Sequence, residues 1–125
     1  MKYTFNKKEK LKSQKLIEQL FAKGQSVAVY PLRLVYLQTH FDEPVKIKAG
    51  VSVSKRHFKK AVDRNRIKRL MKEAFRLNKT AIFNNISNQY AFMILYIGND
   101  GTDFDSVNTK MKALLQKFTD KVSVN

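Results

Sequence analysis

Residues 45–76 read VKIKAGVSVSKRHFKKAVDRNRIKRLMKEAFR, and two different periods run through them. In the first part Ile47, Ala49, Val51 and Val53 alternate with Lys48, Gly50, Ser52 and Ser54. A period of two sets one side of a strand on the core and leaves the other polar. In the second part Ile67, Leu70, Met71, Ala74 and Phe75 recur at helical spacing, so a helix over roughly 60–78 buries that stripe. Asn65, Arg69, Lys72 and Arg76 fall opposite the stripe, flanked by Arg66 and Lys68. Ala61 and Val62 lie outside it and leave the start of the helix open.

The flanking segments complete the pattern. A short helix is expected from about Ser13, a plausible N-cap, to Lys23, with Leu16, Ile17, Leu20 and Phe21 on one face and Gly24 placed to end it. Extended segments follow near 26–30, 32–39 and 45–54, the last preceded by a turn at Asp42-Glu43-Pro44. Beyond the long helix an Asn-rich loop leads to a strand, Gln89 to Ile97, that is apolar on both faces. A last helix starts near Thr102 to Asp105, with acids in its first turn as the helix dipole prefers, and buries Val107, Met111, Leu114, Leu115 and Phe118. The order α-β-β-β-α-β-α gives an α+β fold, a two-layer sandwich of helices on a mixed sheet. No repeat, low-complexity tract or Pro/Gly/Ser-rich linker divides residues 1–125, which read as a single domain with a basic arm over 1–12 anchored by Phe5.

Composition narrows the function. The 125 residues carry 25 Lys plus Arg against 10 Asp plus Glu, a formal net charge of +15. Residues 1–79 hold 21 basic and 6 acidic side chains, whereas residues 80–125 hold four of each. Residues 55–79 alone hold 11 basic and 2 acidic groups. Solubility needs far less than this and is served better by acids, so the asymmetry favours a polyanion surface over a merely solvated face. With no Cys there are no disulfides, thiol nucleophiles or Cys-based zinc sites. The longest apolar run, Ala91 to Ile97, is far too short to span a membrane, and the N-terminus has no signal-peptide core. A soluble, cytoplasmic protein is expected.

Catalytic motifs are missing. His40 and His57 are far apart and have no second ligand at metal spacing. There is no Ser-centred elbow, Gly-rich phosphate loop or metalloprotease motif. Asp100, Asp103 and Asp105 read as loop and N-cap acids rather than a divalent-ion site, and Glu73 pairs with Arg69 or Arg76 one turn away. A protein nuclease would need clustered carboxylates or histidines, so no protein active site is expected. The basic helix remains: guanidinium forks and ammonium groups for phosphates, and an Asn65 amide that can donate and accept.

This helix resembles the signature of the bacterial ribonuclease P protein component. Arg64, Asn65, Arg66, Ile67, Lys68 and Arg69 match the family's Arg-Asn-Arg-x-Lys-Arg core without a gap. Gly50 to Arg56 before it and Glu73 to Arg76 after it are also similar to the family. Phe5, Leu11, Phe21, Gly24 and Ser26 fall where the family has a basic arm, a helix ending in Phe and a Gly-x-Ser. The likeness covers roughly residues 5–97, and the last helix by order and pattern. Three positions depart: Lys72 stands where Arg is usual, His57-Phe58 replaces a stretch where many relatives have Gly, and Ile17 replaces an aromatic found in some.

The resemblance implies a monomeric protein subunit of a ribonucleoprotein endonuclease. Its RNA removes the 5′ leader of precursor tRNA with Mg2+, while the protein holds no cofactor of its own. It further implies RNA-subunit contacts from Lys55, Arg56, Lys60, Arg64, Asn65, Arg66, Lys68, Arg69, Lys72 and Arg76. Leader contacts would come from Phe5, Ile17, Phe21, Tyr36 and Ser52 in a cleft on the sheet. Phe21 reads equally well as a core residue, and Tyr36 fits a wet cleft through its hydroxyl. The family also implies a left-handed strand-helix-strand crossover, against the general right-handed rule. A structural RNA-binding protein of ribosomal type and an independent nuclease are the alternatives; composition does not separate the first of these from the ribonuclease P reading.

Overall fold

A computed structural model describes residues 10–42, 44–84 and 86–123; Phe5, most of the basic arm and Glu43 lie outside the described residues. The first helix, α1 (Gln14–Lys23), starts where Ser13 Oγ accepts the Leu16 amide at 3.2 Å. It ends at Gly24, whose backbone is extended rather than left-handed. Glycine is required there by close approach: a Cβ would collide with the carbonyl oxygens of Leu20 and Tyr36.

Four strands occupy the expected extended segments: β1 (Gln25–Val29), β2 (Leu32–Thr39), β3 (Ile47–Val53) and β4 (Gln89–Tyr96). They form one sheet in the order β1-β2-β4-β3, antiparallel except for the parallel β3–β4 pair. The long helix α2 (Ala61–Phe83) connects that parallel pair, and α3 (Phe104–Ser123) closes the chain. The register divides the sheet into two faces. Leu32, Leu34 and Tyr36 of β2, Ile47, Ala49 and Val53 of β3, and Tyr90, Phe92, Ile94 and Tyr96 of β4 point to one side. There they pack on Ile67, Met71, Ala74 and Phe75 of α2 and Val107, Met111, Leu114, Leu115 and Phe118 of α3. Val35, Leu37, Ala91, Met93 and Leu95 point to the other side, where Leu16, Ile17 and Leu20 of α1 meet them. Helices on both faces explain why β4 is apolar throughout.

Helix α2 runs five residues past its expected end at 78. Ile82 extends the buried stripe, and Lys79 is only 5% exposed. Asn78 Nδ2 donates to Asn108 Oδ1 of α3 at 2.7 Å, so contact with α3 holds a stretch too polar to read as core. The start of α3 is capped by Asp103, whose Oδ1 accepts the Ser106 amide at 2.9 Å. That bond holds the Asp103 carboxyl below its ordinary range.

Candidate nucleic-acid interface

The apolar stripe of α2 fixes where its cations go. With Ile67, Met71, Ala74 and Phe75 on the core, Asn65, Arg69 and Lys72 are exposed and Lys68 half-exposed along the outer side. Lys55, Arg56 and Lys60 stand exposed in the loop leading into the helix. The side chains of these seven make no hydrogen bond or ion pair to another described residue.

Three arginines of the segment are engaged. Arg64 turns back, donating through Nη1 to the Phe58 carbonyl at 2.8 Å and the Lys59 carbonyl at 2.9 Å. Because Lys60 caps α2 without a side-chain bond, Arg64 ties the loop to the first turn, alongside the packing of Phe58 on Tyr96. Arg66 Nη1 donates to the Thr102 carbonyl at 2.8 Å, joining α2 to the loop before α3. Arg76 forks onto Glu73, donating through Nε to Oε1 at 3.1 Å and through Nη2 to Oε2. That fork holds the Glu73 carboxyl below its ordinary range. Of the two partners the spacing allowed Glu73, Arg76 is the one that binds it.

A second feature lies on the opposite face of the sheet. Leu11 donates its amide to Ala49 on the outer edge of β3, and α1 crosses from there over β4 and β2 to Gly24, beside the β1 edge. Lys23, on one flank of the Leu16–Leu20 stripe, lines a cavity with Leu37 and Gln38. Ile17 and Phe21 lie on the other flank, toward the row in which Arg33, Leu95 and Ser52 sit side by side on β2, β4 and β3. That row is only half-covered: Ser52 and Leu95 are half-buried and Arg33 is exposed. Phe21 is 54% exposed, a projecting aromatic rather than a core residue. The structure thus brings Ile17, Phe21 and Ser52 around one open trough.

Tyr36 does not join them. Its neighbours Val35 and Leu37 face α1, so strand alternation sends Tyr36 to the α2–α3 side. It is 4% exposed there, with its ring 4.9 Å from Phe118 and its hydroxyl donating to Gln25 Oε1 at 3.1 Å. Burial pushes the hydroxyl above its ordinary pKa. Tyr36 nonetheless lines the cavity that Lys23, Gln25 and Gln38 also line, apart from Ile17, Phe21 and Ser52. Arg33, by contrast, reaches the α1 side, a placement that the Leu32-Arg33-Leu34 alternation signals.

Among the described residues no three His, Asp or Glu side chains group to hold a metal, and no helix is long and apolar enough to cross a membrane. The sequence matches the Ribonuclease P family over residues 5–119. The chain belongs to the bacterial ribonuclease P protein component family. The ribonuclease P protein component of Porphyromonas gingivalis is 33% identical, over 96% of this chain and 90% of that protein. The fold is that of the Staphylococcus aureus RNase P protein, with a TM-score of 0.70 at 22% identity, covering 88% of this chain and 94% of that one. The Thermotoga maritima RNase P protein aligns with a TM-score of 0.67 at 23% identity, covering 87% and 96%. By family, then, the chain is one component of ribonuclease P.

Proposed function

We propose that this chain is the monomeric, cytoplasmic protein subunit of a ribonucleoprotein that removes the 5′ leader from precursor tRNA. The observation that carries this reading is the row of cations on and before α2 that lack acidic partners among the described residues, in a chain of this family. Lys55, Arg56, Lys60, Asn65, Lys68, Arg69 and Lys72 hold the catalytic RNA, while Arg64 and Arg66 shape the surface they stand on. Each phosphate they neutralise releases counterions, which makes docking tight and steeply salt-dependent. The leader lies in the trough, where Phe21 stacks on an unpaired base without demanding a sequence, and Ile17 and Ser52 line its path. Phe5, outside the described residues, is proposed as a further leader contact. A protein of charge +15 between two polyanions lowers their mutual repulsion, so less magnesium is needed to bring them together. Hydrolysis and the magnesium it uses belong to the RNA, and the protein binds no cofactor of its own.

The test is leader removal by the cognate RNA subunit at low magnesium, with and without the purified chain. Stimulation on adding the chain supports the reading. No stimulation, with the chain recovered on an unrelated structured RNA, would replace it by a structural RNA-binding role. Cleavage by chain freed of RNA would assign the chemistry to the protein.

A further inference from the structure

The trough floor holds a charge that the leader-binding reading leaves without a task. Arg33 sits on an inner strand of the sheet, flanked by Ala28 of β1 and Leu95 of β4, with Ser52 next beyond Leu95. Its same-face neighbours along β2 are apolar: Val35 and Leu37 pack with α1. An inner-strand position beside Ala and Leu is where an aliphatic side chain would ordinarily stand, yet this one is an exposed guanidinium with no bonded partner among the described residues. The exposed ring of Phe21 projects from the α1 flank that faces this row.

We infer that Arg33 is a positioning residue for the leader, gripping one phosphate of the single strand while Phe21 stacks on a neighbouring base. This rests on the proposed leader-binding role of the trough. A planar fork on a rigid inner strand presents two parallel donors to a phosphate, which a Lys on the same strand would not reproduce. The surrounding surface supports a phosphate rather than a base edge as the target. Ala28, Leu95 and Val35 offer apolar contact, and the polar groups beyond them, Ser26 beside Val35 and Ser52 beyond Leu95, are single hydroxyls rather than a pattern that reads a base.

The experiment measures affinity of the reconstituted holoenzyme for precursor tRNA with a leader and for the same tRNA without one, across a salt series. Wild type, Arg33→Ala and Arg33→Lys are compared. Arg33→Ala is expected to lose about tenfold in affinity for the leader-bearing substrate only. Its salt slope for that substrate should fall by about 0.7, the single-strand value per phosphate. Arg33→Lys should keep most of the slope but not the affinity, and replacing the bridging phosphate by an uncharged methylphosphonate should abolish the difference between wild type and Arg33→Ala. If wild type shows no leader-dependent gain, the leader reading itself fails. If the gain is present and Arg33→Ala retains it with an unchanged slope, only the assignment of Arg33 is overturned. Loss of slope that appears equally without the leader would place Arg33 against the body of the tRNA and also overturn the assignment.

Discussion

Replacing Arg64 by alanine removes the guanidinium that holds the carbonyls of Phe58 and Lys59 at 2.8 and 2.9 Å. The bond to Phe58 is partly buried and the bond to Lys59 exposed. Water replaces the second at little cost, whereas a charge-assisted bond of the first kind contributes about 1.5–2 kcal/mol. A domain of 125 residues loses about 3–6 °C of Tm per kcal/mol, so Arg64→Ala should melt about 4–12 °C below wild type. Arg69, exposed and unbonded, should leave stability within about 0.5 kcal/mol when replaced. Binding to the RNA subunit should sort the pair the other way. Arg69→Ala lowers the salt slope by about one phosphate contact, while Arg64→Ala changes it by less than half as much because its guanidinium is held on the loop carbonyls rather than turned to a phosphate. Thermal melts followed by circular dichroism and filter binding across a salt series provide both readouts. If Arg64→Ala melts with wild type and loses a full unit of slope, Arg64 is an RNA contact and the loop-fixing role is wrong.

Further expectations follow from the same contacts. Phe118 is fully buried, 4.8–5.1 Å from the rings of Phe92, Tyr36 and Tyr90, so Phe118→Ala should cost about 3–5 kcal/mol in denaturant unfolding. Glu73 and Asp103 have carboxyls held below their ordinary values of 4.5 and 3.8 by the Arg76 fork and the Ser106 amide. Their stabilising effect is complete above those values and is lost as pH falls through the folded ones. Tm measured on acidification should therefore fall less steeply for the Glu73→Gln, Asp103→Asn double variant than for wild type. Burial raises Tyr36 and Tyr96 above 10.0, so their contribution is intact below that pH and lost above it; Tyr36→Phe should move alkaline unfolding to higher pH.

Much of this fold was legible because local chemistry and packing agree. Ser13 and Gly24 bracket α1, and the alternation of Ile47 to Val53 survives as a strand with Ile47, Ala49 and Val53 buried. The misses come where a distant element decides. Asn78 and Lys79 look like a helix end, and only the contact with α3 makes them interior. Tyr36 and Arg33 show the sheet version of the problem: β2 alternates plainly, yet which parity meets α1 and which meets α2 and α3 is set by the whole topology. With the topology in place, the Tyr36 ring falls on the α2–α3 side and Arg33 on the α1 side. Charge counts likewise identified the basic segment but could not separate Arg64 and Arg66, which bond carbonyls, from Lys68, Arg69 and Lys72, which bond nothing described.

The decisive quantity is the salt dependence of affinity between this chain and its cognate RNA subunit, compared for wild type and a Lys68→Ala, Arg69→Ala, Lys72→Ala triple variant. Docking through the outer side of α2 predicts a slope reduced by about two to three units, on the order of 0.9 per lost phosphate contact, with unchanged melting. A triple variant that binds with the wild-type slope would show that this helix is not where the protein meets RNA.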